Sequence, residues 1–389
     1  MNGQGTRGNL AGAIQAKDMA MQERVFGWDL LRGICALLVA TYHLLYWTDL
    51  AKLHVFGSYG VYLFFVLSGA SMAYTYTYAG RFESGGFRYG EFLFVRFWRL
   101  APLYVLLMLA VLPAMGIWYG PTGRLLQVMF LNVSMLMGLY NPSGFALLTG
   151  GWSLGVEAVF YLLFPLVLWA LKSWRSMLVF FLPCVMLQVW WISRTLGAAD
   201  MPVSEQYLVY HNAPSFAAYF VGGCILGHLA RSGIIRQVLP SAHGLLILLA
   251  GFALMLAVNP VQGTAELTGW RGWMLAPLCL AMVAVASMLR LAGHSRSITH
   301  HLGDATYGVY LIHPVLYFYV APALGLDGLK TGSSGGRLLL VIAILLASFV
   351  LALISERLFE QPVRHWSKSL LAAWRGESFK KPVQSVDKT

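Results

Sequence analysis

Along this chain long apolar runs alternate with short polar ones, at a length that suits helices crossing a bilayer. Runs of spanning length cover 29–47, 57–79, 97–117, 152–171, 176–193, 213–230, 243–259, 273–291, 304–324 and 338–358. About 20 apolar residues in a helix span the ~30 Å hydrocarbon core, so the pattern predicts an all-α, polytopic membrane bundle of ten helices. One further run, 124–140, is ambiguous. If it crossed, Lys172, Arg175, Arg231, Arg236 and the basic C-terminal tail would all lie outside. If it is re-entrant or buried in the bundle, both termini are cytoplasmic. The inner side then carries 21 Lys and Arg and the outer side 6 (Lys52, Arg124, Arg194, Arg271, Lys330 and Arg337). Inner loops are enriched in cationic residues, which decides for ten spans.

Composition agrees. The 389 residues are 58% hydrophobic and 11% charged, with a mean hydropathy of +0.65, against about 25% charged for a soluble domain. The net charge of +11 does not point to nucleic acid, because Lys and Arg sit between apolar segments rather than on a polar domain. Cys35, Cys184, Cys224 and Cys279 lie inside apolar runs without disulfide or metal spacing and read as small core residues. Residues 1–24 are polar and Gly-rich, without the apolar core of a signal peptide. The expected organisation is a cytoplasmic tail at 1–28, a membrane domain at 29–364 and a basic tail at 365–389 lying along the inner leaflet.

With sides assigned, polar residues inside the spans acquire depths. Arg32 and His43 stand eleven positions apart on the first span. That is close to three helical turns, so they share a face about 16 Å apart along the axis. A cation and an imidazole on one intramembrane stripe are costly and mark function. In the second span Ser68-Gly69 is a small pair that permits close helix approach. Arg96 and Arg99, three apart, present neighbouring guanidiniums suited to phosphate or pyrophosphate; the bland alternative is anchoring at the inner surface.

Trp152 suits an interfacial position, whereas Glu157 is a carboxyl about a turn and a half into its span, sharing a face with Tyr161 and Pro165. In the ninth span Thr306, Tyr310 and His313 form another stripe, and Pro314 follows the histidine. His294, His300 and His301 read as a basic inner loop without carboxylates, and His54, His211, His228 and His243 as structural. Glu356, Arg357, Glu360 and Arg364 predict ion pairs at the inner surface.

Together these motifs resemble the family-3 membrane acyltransferases, which O-acetylate surface polysaccharides, O-antigen, peptidoglycan, Nod factors and some macrolides. The resemblance runs in order along nearly the whole chain: Arg32 and His43, FFVLSG at 64–69, Arg-x-x-Arg at 96–99, WSLGVE at 152–157 with FYLLFP, TYGVYLIH at 306–313 and EQPVR at 360–364. Thr306 stands where the family more often has serine, keeping a hydroxyl. The hydrolase-like domain that some members fuse after the last span is not seen, so a stand-alone form is expected, acting directly or with a separate acceptor-side protein.

The resemblance implies transfer of an acyl group, with acetyl expected, from cytoplasmic acyl-CoA to a hydroxyl of a carbohydrate or glycolipid. The acceptor would stand at or beyond the outer face of the inner (plasma) membrane. Arg32, Arg96 and Arg99 would hold the nucleotide phosphates. His43 would act as general base or carry the acyl group covalently, with Glu157 orienting its imidazole. Ser68, Trp152, Tyr161, Tyr307, Tyr310 and His313 would face substrate. No metal is called for. A transporter or flippase of a lipid-linked or small polar solute is the rival reading, with the same ionisable residues as a relay. Neither the acceptor nor the oligomeric state is legible.

Overall fold

The computed structural model describes residues 24–77, 88–119, 122–196, 201–258 and 267–376. Residues 1–23 and 377–389 of the expected tails, 78–79 of the second expected span and 259 of the seventh lie outside the described residues. The longer helices are α1 (Phe26–Trp47), α2 (His54–Tyr76), α3 (Tyr89–Tyr119), α4 (Thr122–Val133), α5 (Gly151–Ala170), α6 (Trp174–Thr195), α7 (Ala217–Arg231), α8 (Ser241–Val258), α9 (Gly269–Met288), α10 (Gly293–Val315), α11 (Ser334–Ser355) and α12 (Gln361–Trp374). Among the described residues the only strands are Leu239–Pro240 and Leu289–Arg290, paired in parallel.

Nine of the described helical stretches are long and apolar enough to cross a membrane, and the chain is a multi-pass helical bundle. The ninth expected span, 304–324, is helical as well: α10 continues through a π-helical turn, Leu316–Val320, into Ala321–Ala323. It is not among the nine because Thr306, Tyr307, Tyr310 and His313 dilute its apolar character.

The ambiguous run resolves into pieces. Helix α4 has 12 residues, so it is about 18 Å long and falls short of the ~30 Å core. Met135, at φ 59°, breaks it. A turn of helix at Met137–Tyr140 follows, then Pro142–Phe145, which Asn141 caps by accepting the Gly144 N–H. The fully buried Asn132 amide fastens this segment into the bundle by donating to the carbonyls of Val128 and Phe145, 2.7 Å each.

Helix α2 is largely buried, and glycine explains how it approaches α7. A Cβ on Gly69 would stand 2.1 Å from the Phe220 carbonyl oxygen, and one on Gly223 2.1 Å from that of Val66. Gly69 of the small pair therefore permits the close helix approach that its sequence predicts. Helix α1 packs on α2 and α10, and α10 on α11. Cys35, Cys224 and Cys279 are buried in this core, with Cys184 half-buried.

Two expectations at the Arg32 end need correction. His294, His300 and His301 are not in a loop without carboxylates, because α10 begins at Gly293 and Asp304, one turn on, takes the His300 ring at 2.8 Å. The boundary expected at 364/365 falls inside α12, which lies against α3. Trp366 meets Trp98 edge-on at 4.9 Å between ring centroids, and Trp374 meets Phe94 at 5.4 Å. This helix is polar on average but buries Ser367 and Leu371, four apart on one side, which an average over the segment conceals.

Candidate active site

A cavity of about 720 Å³ opens among α1, α2, α3, α5, α10, α12 and the π-helical turn Glu356–Glu360. That volume is within the range of sites for cofactor-sized ligands. Arg32, Ser68, Arg96, Arg99, Glu157, Tyr161, Tyr307 and Tyr310 all line it, as does Thr306. His43, His313 and Trp152 do not.

The three arginines take different parts. Arg32 is held: it donates to Asp29 and to the Leu67 carbonyl, 3.1 Å each, and to the Ser71 hydroxyl, tying α1 to α2. Arg96 and Arg99 are not the equivalent fork that their spacing suggests. Helix α3 starts eight residues before its expected apolar run, which carries Arg96 inward. It is 6% exposed, with its guanidinium over the rings of Tyr76, Phe92 and Tyr161 at 5.3, 5.8 and 5.6 Å. Its Nε has no hydrogen-bond partner. Arg99 is exposed at the cavity wall.

Two cationic residues that sequence reasoning did not place in the site also line this cavity. Arg364 enters the cavity wall and pairs with Glu356 at 3.0 Å and Glu360 at 3.7 Å, so the ion pairs expected at 356–364 form around Arg364, while Arg357 meets the His301 ring at 3.4 Å. Lys368, assigned to a tail, lines the cavity within electrostatic reach of Arg364, Arg99 and Arg96. At the same end Arg24 bridges Asp29, His300 and Asp304. Among the described residues the acidic wall groups are thus paired with Arg24, Arg32 or Arg364, or hydrogen-bonded at Glu157. Arg96, Arg99 and Lys368 remain without a carboxylate partner. Cations without a carboxylate partner among the described residues, one with an orphaned buried Nε, suit a polyanionic ligand.

Farther along, the wall turns to hydroxyls. Glu157 accepts from Ser68 at 2.5 Å and from Tyr161 at 2.6 Å, both on Oε1. It does not meet His43, whose ring lies with α10 instead, so the expected direct orientation of the imidazole by Glu157 is not the observed geometry. Tyr310 joins Ser153 at 2.9 Å and donates to the Gly150 carbonyl at 3.2 Å, where Gly150, at φ 84°, starts α5. Tyr307 donates to the Leu100 carbonyl. Trp152 stacks on His211 at 3.9 Å, outside the cavity.

His43 and His313 stand next to each other at the other end, Nδ1 to Nε2 3.0 Å, with Trp47 stacked on His43 at 4.9 Å. His313 is wholly buried and lies one turn beyond Tyr310, the last residue of the α10 stripe to line the cavity. The α1 and α10 stripes therefore run side by side, from the cationic end to the histidine pair.

Comparison with known proteins gives a consistent answer. An acyltransferase-domain family model matches residues 25–357. The peptidoglycan O-acetyltransferase OatA of Listeria monocytogenes is 25% identical over 363 residues, covering 86% of this chain and 55% of its own length. The acyltransferase MdmB of Streptomyces mycarofaciens is 25% identical over 332 residues, covering 76% of this chain and 79% of its own. The chain thus spans about half the length of the Listeria relative. No solved structure matches it.

Proposed function

The chain belongs to the family of acyltransferase domains, and from that premise we propose that it is a membrane-bound O-acyltransferase using cytoplasmic acyl-CoA. The acyl group, acetyl in our reading, goes to a hydroxyl of a carbohydrate or glycolipid at or beyond the outer face of the plasma membrane. One observation carries the proposal: a cavity whose cations Arg96, Arg99 and Lys368, without a carboxylate partner among the described residues, lie at one end of the stripe that leads to His43.

The basic end is the cytoplasmic one in this reading. Arg99 and Lys368 take the donor's phosphates at the mouth and Arg96 a deeper oxygen, while Arg32, held by Asp29, shapes the wall. The pantetheine arm extends past Ser68, Glu157 and Tyr310 and brings the thioester to His43. The neutral imidazole accepts the acceptor's hydroxyl proton as the oxygen attacks the thioester carbonyl. The C–S bond breaks, and the imidazolium returns its proton to the departing thiolate. Attack by His43 itself, followed by transfer from an acyl-imidazole, gives the same balance in two steps.

Binding of acetyl-CoA to the purified protein, followed by calorimetry with and without inorganic phosphate, tests the reading. Saturable binding that phosphate weakens, and that Arg99→Ala and Lys368→Ala each lower about tenfold, supports it. No binding, together with solute flux in proteoliposomes, would transfer the case to the transporter reading.

A further inference from the structure

The histidine pair carries chemical information that neither ring holds alone. The ring planes of His43 and His313 are 16° apart and their centroids 5.3 Å. With Nδ1 of one 3.0 Å from Nε2 of the other, the rings meet edge to edge in a hydrogen bond. His313 has a second partner, the Val309 carbonyl oxygen, 2.8 Å from its Nδ1. A carbonyl oxygen only accepts, so His313 Nδ1 carries the hydrogen. In a neutral imidazole the other nitrogen then holds a lone pair, so His313 Nε2 is an acceptor and His43 Nδ1 must donate to it. The lone pair of His43 is thereby left on Nε2. Turning the His313 ring over would lose both hydrogen bonds. Among the described residues no carboxylate touches either ring, and charge on the wholly buried His313 ring without one is costly, so His313 rests neutral.

We propose that His313 is a positioning residue: it fixes His43 in the Nδ1–H tautomer and so presents Nε2 as the basic, reacting nitrogen. This rests on the reading of His43 as base or nucleophile. As His43 takes the hydroxyl proton on Nε2, its Nδ1–H bond to His313 strengthens, and the lone pair of His313 stabilises the imidazolium. The role resembles in kind that of the carboxylate in a hydrolase triad, filled by a neutral acceptor. Trp47 holds the arrangement still, stacked on His43 at 4.9 Å and on His313 at 5.9 Å, with its own carbonyl bonded by the Tyr317 hydroxyl at 2.8 Å. The sequence stripe Thr306, Tyr310, His313 places His313 beside substrate; the geometry makes it act through His43.

The experiment compares steady-state CoA release from acetyl-CoA by wild type, His43→Ala, His313→Leu and His313→Gln, each checked for monodispersity in detergent. Leucine fills the space without an acceptor, whereas the glutamine amide oxygen reaches the place of Nε2 and accepts. His313→Leu is expected to lower kcat by a factor on the order of a hundred, with KM for acetyl-CoA unchanged. His313→Gln is expected to recover at least about tenfold of that loss. Equal kcat for the leucine and glutamine variants, with His43→Ala inactive, would overturn the tautomer role and leave the function reading intact. Full turnover by His43→Ala would overturn both.

Discussion

Ser68 of α2 donates a 2.5 Å hydrogen bond to Glu157 of α5, and Tyr161 donates to the same oxygen from one turn away. The carboxylate is therefore a brace between two helices that wall the cavity. Glu157→Ala leaves the hydroxyls of half-buried Ser68 and buried Tyr161 without this acceptor and is expected to cost about 1–3 kcal/mol in stability. Glu157→Gln keeps an acceptor oxygen and should retain most of that stability. Thermal unfolding in detergent separates the two variants.

Arg96 and Arg99 should separate as well, despite their shared motif. Arg99 is exposed at the cavity wall, so Arg99→Ala is expected to raise KM for acyl-CoA about tenfold with kcat little changed. Arg96→Ala removes a cation packed among three rings and should also lower the unfolding temperature. Kinetics and melting on the two single variants check the distinction.

The helix α12 supplies a third prediction. Lys368→Ala is expected to weaken acyl-CoA binding, and the effect should shrink at high salt because the contact is ionic. A residue of a loose tail would give neither result. Binding isotherms at two ionic strengths decide.

Helix approach gives a fourth. Gly69→Ala sets a methyl 2.1 Å from the Phe220 carbonyl oxygen, so α2 and α7 must separate. The expected loss is about 1–3 kcal/mol, read from thermal unfolding.

The fifth concerns pH. Burial pushes the His211 imidazole down to about 3, in a segment between α6 and α7 where it stacks on Trp152 and meets Ser143 at 2.7 Å. The unfolded chain binds its proton near pH ~6.5, so between those values the unfolded state holds more protons. The contribution of this group is complete above the unfolded value, falls as pH drops, and is lost by about 3. His211→Phe is expected to flatten the fall of the unfolding temperature between about pH 6 and 4.

Much of this molecule was legible from period and polarity. The apolar runs marked the helices, the spacing of Arg32 and His43 put them on one face, and Glu157 and Tyr161 met as their spacing required. What escaped were relationships between distant segments. Nothing local says that His43 meets His313, 270 positions away, rather than Glu157. Lys368 was hidden because α12 is polar on average, and because the π-helical turn at Glu356–Glu360 carries the helix past the apparent end of the span. Arg96 looked like the twin of Arg99 because spacing gives a shared face but not which neighbour covers it.

The most direct test of the whole account is CoA release from acetyl-CoA by purified protein supplied with membrane glycolipids, comparing wild type with His43→Ala. The account predicts that wild type releases CoA and acylates a hydroxyl of the acceptor, while His43→Ala binds acetyl-CoA with unchanged affinity and releases none. Turnover by His43→Ala at the wild-type rate would contradict it.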